Sequence, residues 1–321
     1  MPFDVVSAGI LVADHLTTPI ARLPRAGELV LCDAMPFSIG GCAANVSVDL
    51  TRLGKRVGVF GAVGGDPLGG FVVESLAKAG VDVAGIVTRD DCGTSCSLII
   101  NVAGEDRRFI TTLGANAAFV PEQIPLDAVR QAKVLYLGGY LFAPALENER
   151  MVALFHAARA AGVKTVLDVV VAGEGIGRGT PWERLAPLLA ETDVFLPNED
   201  EARLITGKPD PVAQAEQFRA AGARTVVVTC GGAGSILVND RVRLLSGVYP
   251  IDYVGGTGSG DAFDAGFIMG LLAGGDEREC LRWGSAIGAS CVRSVSATDG
   301  VFTAKEAQAF MAAHPLDVRE L

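Results

Sequence analysis

The chain is expected to fold as an α/β protein, with a mainly parallel sheet covered by helices on both faces. Three observations carry this expectation. Apolar, β-rich runs at Asp4–Ile10, Val57–Val63, Val134–Leu137, Thr165–Val171, Val194–Leu196 and Thr225–Thr229 recur with helical segments between them, the pattern of strands buried on both faces. Half the residues are hydrophobic and 40 are glycine, which suits helices packed closely on a buried sheet. The third observation is a break in the alternation. Ser95–Val102 and Arg107–Leu113 are extended runs joined by Ala103-Gly104-Glu105-Asp106 with no helix between them, so they read as a hairpin in a separate small sheet.

The elements follow in order. Asp4–Ile10 is a buried strand, and Asp14 lies beyond its C-terminal end, where open α/β sheets place ligands. Asp14 also suits a solvated loop. Leu29–Ile39 is mixed and β-prone. Gly40 and Gly41 then open a helix that runs from Ala43 to a glycine stop at Gly54. The glycine pair permits close backbone contact with a ligand, and Asn45 either faces the same opening or caps the helix. Val57–Val63 is a strand, Phe71–Ala79 a helix, and Val81–Val87 a further extended segment. Gly173-Glu174-Gly175-Ile176-Gly177 fails as a dinucleotide fingerprint, because Arg178 stands where the third glycine belongs. Gly207-Lys208 is followed by Pro209, so it is not a Walker A loop.

After the strand Val194–Leu196, Asn198 and Glu201 are three residues apart and share one face of a helical turn. They can orient water around Mg²⁺ and a phosphate, or form an N-terminal capping box. Thr229-Cys230-Gly231-Gly232-Ala233-Gly234 makes a compact turn before the strand Ser235–Val238, and a plain hairpin explains it equally well.

Composition narrows the class. A formal net charge of −10 argues against non-specific nucleic-acid binding and means that any phosphate site must be made locally. No uncharged apolar stretch of about eighteen residues is present, so no membrane span is expected. Seven scattered cysteines and three histidines give neither a zinc pattern nor a disulfide framework. The expectation is a cytoplasmic protein with reduced thiols.

The most informative stretch is Gly255-Gly256-Thr257-Gly258-Ser259-Gly260-Asp261-Ala262-Phe263. A helix begins near Ser259 or Gly260, with Phe263, Phe267 and Leu271 on one apolar face running to Leu272. Its first N–H groups lack intrahelical partners, and with the positive end of the dipole they attract an anion. Asp261 would repel a resident phosphate. It makes sense where phosphate is in transit and a carboxylate accepts a proton from an attacking hydroxyl. A tight turn with Asp261 as a cap is the plainer alternative.

Taken together, these pieces resemble the PfkB, or ribokinase-like, carbohydrate kinases over Asp4 to about Val301. Gly256–Phe263 is similar to the family's C-terminal signature, and Gly40-Gly41, Asn45 and Arg52-Leu53-Gly54 to its N-terminal one. Gly61–Gly69, Gly114-Ala115-Asn116, the Asn198–Glu201 spacing and Thr229–Gly234 also fall where the family has them. The resemblance implies one α/β kinase domain over residues 1–321, with a small β lid from roughly 16–39 and 94–113 that supports a homodimer in many relatives. It implies transfer of the ATP γ-phosphoryl group to a hydroxyl of a small-molecule sugar or nucleoside. Asp261 would be the base, and the N–H groups of Gly258, Ser259 and Gly260 the anion hole. Asp14, Gly40, Gly41 and Asn45 would bind substrate. Thr229, Gly231 and Gly234 would line the nucleotide side, and Asn198 and Glu201 would organise Mg²⁺ through water.

Departures from the pattern matter. Gly255 and Gly256 replace the Asp and Thr that open the family signature, which leaves a monovalent-cation requirement open. Cys42 and Ala43 replace a Lys and a Gly of ribokinase, so ribose itself is not implied. A catalytically silent sugar-binding relative is the alternative from another class. Retention of Asp261 argues against it, because binding alone needs no base.

Overall fold

A computed structural model describes residues 2–105, 107–147, 149–172, 176–177 and 179–321. The 173–178 glycine stretch therefore lies largely outside the described residues, as does Asp106 of the hairpin turn. The strands are β1 (Val5–Gly9), β2 (Val12–Leu16), β3 (Phe37–Gly40), β4 (Val57–Gly64), β5 (Asp82–Arg89), β6 (Cys96–Ile100), β7 (Arg108–Thr111), β8 (Val134–Gly138), β9 (Lys164–Leu167), β10 (Val194–Phe195), β11 (Thr225–Thr229), β12 (Ser235–Asn239), β13 (Arg243–Ser246) and β14 (Val318–Glu320). The helices are α1 (Cys42–Arg52), α2 (Pro67–Lys78), α3 (Leu126–Arg130), α4 (Glu149–Ala160), α5 (Pro181–Leu189), α6 (Glu199–Thr206), α7 (Pro211–Ala220), α8 (Ser259–Leu272), α9 (Glu277–Cys291) and α10 (Ala304–Ala313).

The large sheet has the order β14-β13-β12-β11-β10-β9-β8-β1-β4-β5. From β11 to β5 every pairing is parallel, and β12 to β14 add an antiparallel edge. Strand side chains alternate between faces, so each face collects its own core. Val6, Leu135, Leu137, Val226 and Val228 pack with Phe155, Leu185 and Phe218 of α4, α5 and α7. Val5, Val134, Tyr136 and Val227 pack with Leu50, Phe263 and Phe267 of α1 and α8. Burial on both faces explains why these strands read as continuous apolar runs.

The expected hairpin is β6–β7, and it lies in a separate sheet of order β3-β2-β6-β7. Three expected boundaries move. Within Leu29–Ile39 only Phe37 onward is strand, where it pairs with β2. The helix expected from Phe71 begins at Pro67, because Asp66 caps it by accepting the Gly69 N–H at 2.8 Å and Pro67 needs no donor there. The strand expected to reach Val171 stops at Leu167, where the chain leaves the sheet on its way to the site.

Helix α9 seats the site helix. Any side chain at Gly266 would overlap the Trp283 carbonyl, and one at Gly284 would lie 2.9 Å from the Phe263 ring. These glycines let α8 and α9 approach almost backbone to backbone. Among the described residues, no helix is long and apolar enough to cross a membrane.

Candidate active site

The site is built at the N-terminus of α8. Gly258 caps that helix with φ 79°, a left-handed conformation open to glycine, and makes no side-chain cap. The preceding loop is fastened to the end of α9. The Val292 carbonyl accepts N–H bonds from Val254 (2.7 Å) and Gly255 (3.1 Å). The Cys291 thiol lies 3.3 Å from the Thr257 carbonyl and 3.1 Å from that of Ala297. Among the described residues, the N–H groups of Gly258, Gly260 and Asp261 have no partner. The Ser259 N–H differs from expectation. It makes a 3.3 Å bond to the Gly256 carbonyl, which also accepts the Ser259 hydroxyl at 2.9 Å. Asp261 therefore supplies a free donor that the sequence reading assigned to Ser259.

Asp261 does not cap α8. Its Oδ2 accepts the Asn45 side-chain amide at 2.8 Å, across 216 residues of sequence. Asn45 is free to reach it because α1 is capped by the backbone of Gly41 (φ 88°), with no side-chain cap. Burial pushes the Asp261 carboxyl above its ordinary value, while hydrogen bonds from Asn45 and Cys42 and the charge of Arg107 pull it down. Gly41 is required by close packing, since a Cβ there would lie 2.5 Å from the Ile10 carbonyl oxygen.

Asp14 stands on β2 opposite Ser97 of β6, so it is a sheet residue and not a loop carboxylate. Gly40 leaves room for its carboxylate, which a side chain at that position would overlap. Burial pushes Asp14 up to about 7, a bond to Ser97 opposes the rise, and the Asp261 charge adds to it. A raised carboxyl is protonated in the fold while still ionised in the unfolded chain. Its cost is therefore absent below the unfolded value and complete above pH 7, reaching up to about 4 kcal/mol. Asp14→Asn should flatten the fall in Tm between pH 4 and 8, and an unchanged slope would refute this account.

Asn198 and Glu201 hold each other in the capping box expected as the alternative. The Glu201 N–H donates to Asn198 Oδ1 at 2.9 Å, and the Asn198 N–H to Glu201 Oε2 at 3.1 Å. Burial pushes Glu201 up to about 8, and the charge of Asp261 contributes to the rise. Burial pushes Asp168 well above its ordinary value and the charges of Glu201 and Asp261 add to the rise, while Asn198 and Glu201 offer oxygen atoms of the kind a hard divalent cation such as Mg²⁺ takes. Thr229 is bridged to Asn198 and ends β11, and its N–H donates to the Pro197 carbonyl at 3.0 Å. Thr229, Gly231 and Gly234 line a cavity of about 440 Å³ that also reaches Gly256, Ser259 and Gly260. The expected nucleotide side thus opens onto the cradle. Gly234 is itself a hairpin glycine (φ 98°) packed on the Ser246 carbonyl.

Two site residues escaped the sequence reading, and a third, Cys42, stood out there only as a departure from ribokinase. Arg107, beside the β6–β7 hairpin, lines the same cavity, and its charge acts on Asp261. Asp168, at the C-terminal end of β9, carried a readable signal: an acid at the carboxyl end of a parallel strand. Cys42 opens α1 between Asp168 and Asp261.

Known proteins share the family and the fold of this chain. The model of the pfkB family carbohydrate kinases matches residues 3–304. The chain is 29% identical to the 2-dehydro-3-deoxygluconokinase of Bacillus subtilis, covering 88% of this chain and 90% of that protein. It is 25% identical to the ATP-dependent 6-phosphofructokinase of Thermoanaerobacterium thermosaccharolyticum, covering 92% and 89%. The Arabidopsis thaliana ribokinase, solved with ribose and ATP, superposes with a TM-score of 0.82 at 25% identity, over 97% of this chain and 99% of that one. The ribokinase of Thermotoga maritima shares the fold, with a TM-score of 0.80 over 97% of this chain and 99% of that one, at 22% identity. With the family matched across nearly its whole length, the chain belongs to the pfkB family of carbohydrate kinases and is a phosphotransferase.

Proposed function

We propose that this kinase moves the γ-phosphoryl group of ATP to a hydroxyl of a sugar or sugar-like substrate, with Asp261 as the base. One observation carries the reading. The Asp261 carboxylate sits in the first turn of α8 beside unpartnered N–H groups and is oriented by Asn45. As the substrate oxygen bonds to phosphorus, its proton passes to Asp261 and the bond from phosphorus to the ADP oxygen breaks. The free N–H groups of Gly258 and Gly260, and that of Asp261 itself, receive the charge on the phosphoryl oxygens. Each such donor contributes about 2.7–4 kcal/mol in the transition state. Asp14 and Asn45, with the backbone of Gly40 and Gly41, would hold substrate hydroxyls. Thr229, Gly231 and Gly234 would border the nucleotide. Glu201 and Asn198 would hold Mg²⁺ through water, and bound Mg²⁺ supplies charge neutralisation on the phosphates.

The small sheet would serve as a lid on a single catalytic unit, excluding water that would otherwise hydrolyse ATP. Arg107 would then close over the phosphoryl group. Arg107→Ala is expected to lower kcat about 10²-fold. It should also move the acid limb of the pH profile upward, because the positive charge holding Asp261 down is gone. A pH profile that stays in place would remove Arg107 from this role.

Leu29, Leu31, Phe109 and Ile110 are more than half exposed on the small sheet and its loop. Phe109 and Ile110 point to opposite faces of β7, and we assign the Ile110 face to a homodimer. Sedimentation should find a dimer that Ile110→Asp converts to monomer, and an Ile110→Asp chain that still sediments as a dimer would refute the assignment. Seven unpaired cysteines suit the reducing cytoplasm. ADP release measured against a panel of sugars, sugar acids, sugar phosphates and nucleosides tests the function. Turnover with a sugar supports it, turnover with nucleosides alone reassigns the acceptor, and none at all favours a silent sugar-binding relative.

A further inference from the structure

The thiol of Cys42 lies against two carboxylates. Its Sγ and one carboxylate oxygen from each of Asp168 and Asp261 all lie within 4.8 Å of one another. The three donors come from separate anchored positions: the first residue of α1, the end of β9 and the first turn of α8. Cys42 and Asp168 are buried and Asp261 is half-buried, so the cluster is not a solvated acidic patch.

A second observation points to a ligand. Asn45 is 3% exposed, and its amide nitrogen bonds to Asp261 Oδ2, yet its Oδ1 has no partner. Asn45 follows Cys42 by three residues on α1, so the two side chains lie on one face of that helix. Here two carboxylates and an amide oxygen share the Asn45 amide nitrogen, the Cys42 thiol and a backbone bond from Gly139 to Asp168, and the Asn45 oxygen is left without a donor. A buried acceptor without a donor is costly, and a cation relieves it.

Sulfur decides which cation. Mg²⁺ and Ca²⁺ take oxygen ligands, whereas a thiolate beside carboxylates selects zinc-like ions that accept four mixed ligands. We propose that Cys42, Asp168 and Asp261 bind a single thiophilic divalent cation, with zinc as the type. Its occupancy silences the kinase by taking up the carboxylate that would otherwise accept the alcohol proton. On binding, the S–H bond breaks, the sulfur pair bonds to the metal and the proton leaves to water; nothing is oxidised or reduced. Only the silencing rests on the reading of Asp261 as base.

The test uses the full-length, reduced protein without nucleotide or Mg²⁺, titrated with CoCl2. A thiolate-to-cobalt absorption band should grow to one equivalent and be bleached by ZnCl2. Cys42→Ala should lose it. Asp168→Asn, which keeps the thiol, should bind cobalt at least tenfold more weakly, and it guards against a misfolded Cys42→Ala chain. In the kinase assay, Cys42→Ala should need at least tenfold more zinc than wild type for half inhibition. No band in the wild type, or an equal band in Cys42→Ala, overturns the site. A Cys42-dependent band with zinc-insensitive turnover supports the site and overturns the silencing.

Discussion

Asp261→Asn is expected to lower kcat by about 10²–10⁴ while nucleotide affinity stays within a few-fold of wild type. The substitution is nearly isosteric, and the remaining side-chain oxygen can still accept the 2.8 Å bond from Asn45, so the first turn of α8 and its free N–H groups should keep their places. What is lost is the proton acceptor alone. Isothermal titration with a non-hydrolysable ATP analogue, beside steady-state turnover, separates the two effects. A second consequence follows from electrostatics. Burial holds the Asp261 carboxyl above its ordinary value, so ionising it in the fold costs stability at every pH above the unfolded value. The amide carries no such cost, and the variant should melt at a higher temperature than wild type near neutral pH, with the difference vanishing in acid. Lost turnover together with gained stability is the mark of a strained functional group. A less stable variant would mean that the loss of rate reports damage. Unimpaired turnover would mean that another group takes the proton.

The fold was legible because its strongest signals are periodic. Strands buried on both faces read as unbroken apolar runs, and the missing helix between β6 and β7 marked a separate sheet. Boundaries failed where a single polar residue overrode hydrophobicity. Asp66 and Pro67 start α2 four residues before its apolar stripe suggests, and Asp168 ends β9 although Val169–Val171 continue the apolar run. No element was assigned beyond Leu272, because α9 is rich in small residues whose purpose is close packing on α8, and that partner is invisible in one dimension. Within the candidate site, glycine spacing located the turn before α8, but which of its N–H groups stay unpartnered depends on local bonds. Arg107 and Asp168, and the place of Cys42 beside them, were missed for a different reason. Each matters only through neighbours brought together from far along the chain.

Gly258→Ala and Gly260→Ala look alike in sequence and are expected to differ sharply. At Gly258 a Cβ would lie 2.5 Å from the Ala297 carbonyl oxygen and 2.6 Å from its Cα, on a backbone at φ 79°. Ala297 is 2% exposed, and its carbonyl oxygen lies 3.1 Å from the Cys291 thiol, so that segment has little room to retreat. Left-handed strain and overpacking together should cost about 2–6 kcal/mol. The loop that aims the N–H groups must shift, and kcat should fall by about 10²–10³. At Gly260 the φ is not left-handed, and no atom lies within 4 Å of the added methyl, which projects into open space beside the cavity. That variant should melt within a degree or two of wild type and should lose affinity for ATP, because its methyl competes with phosphate for the same volume. Thermal melts with saturating and absent nucleotide read both variants at once. Should Gly260→Ala bind and turn over ATP normally, the terminal phosphate does not rest on this turn, and the assignment of the cradle fails with it.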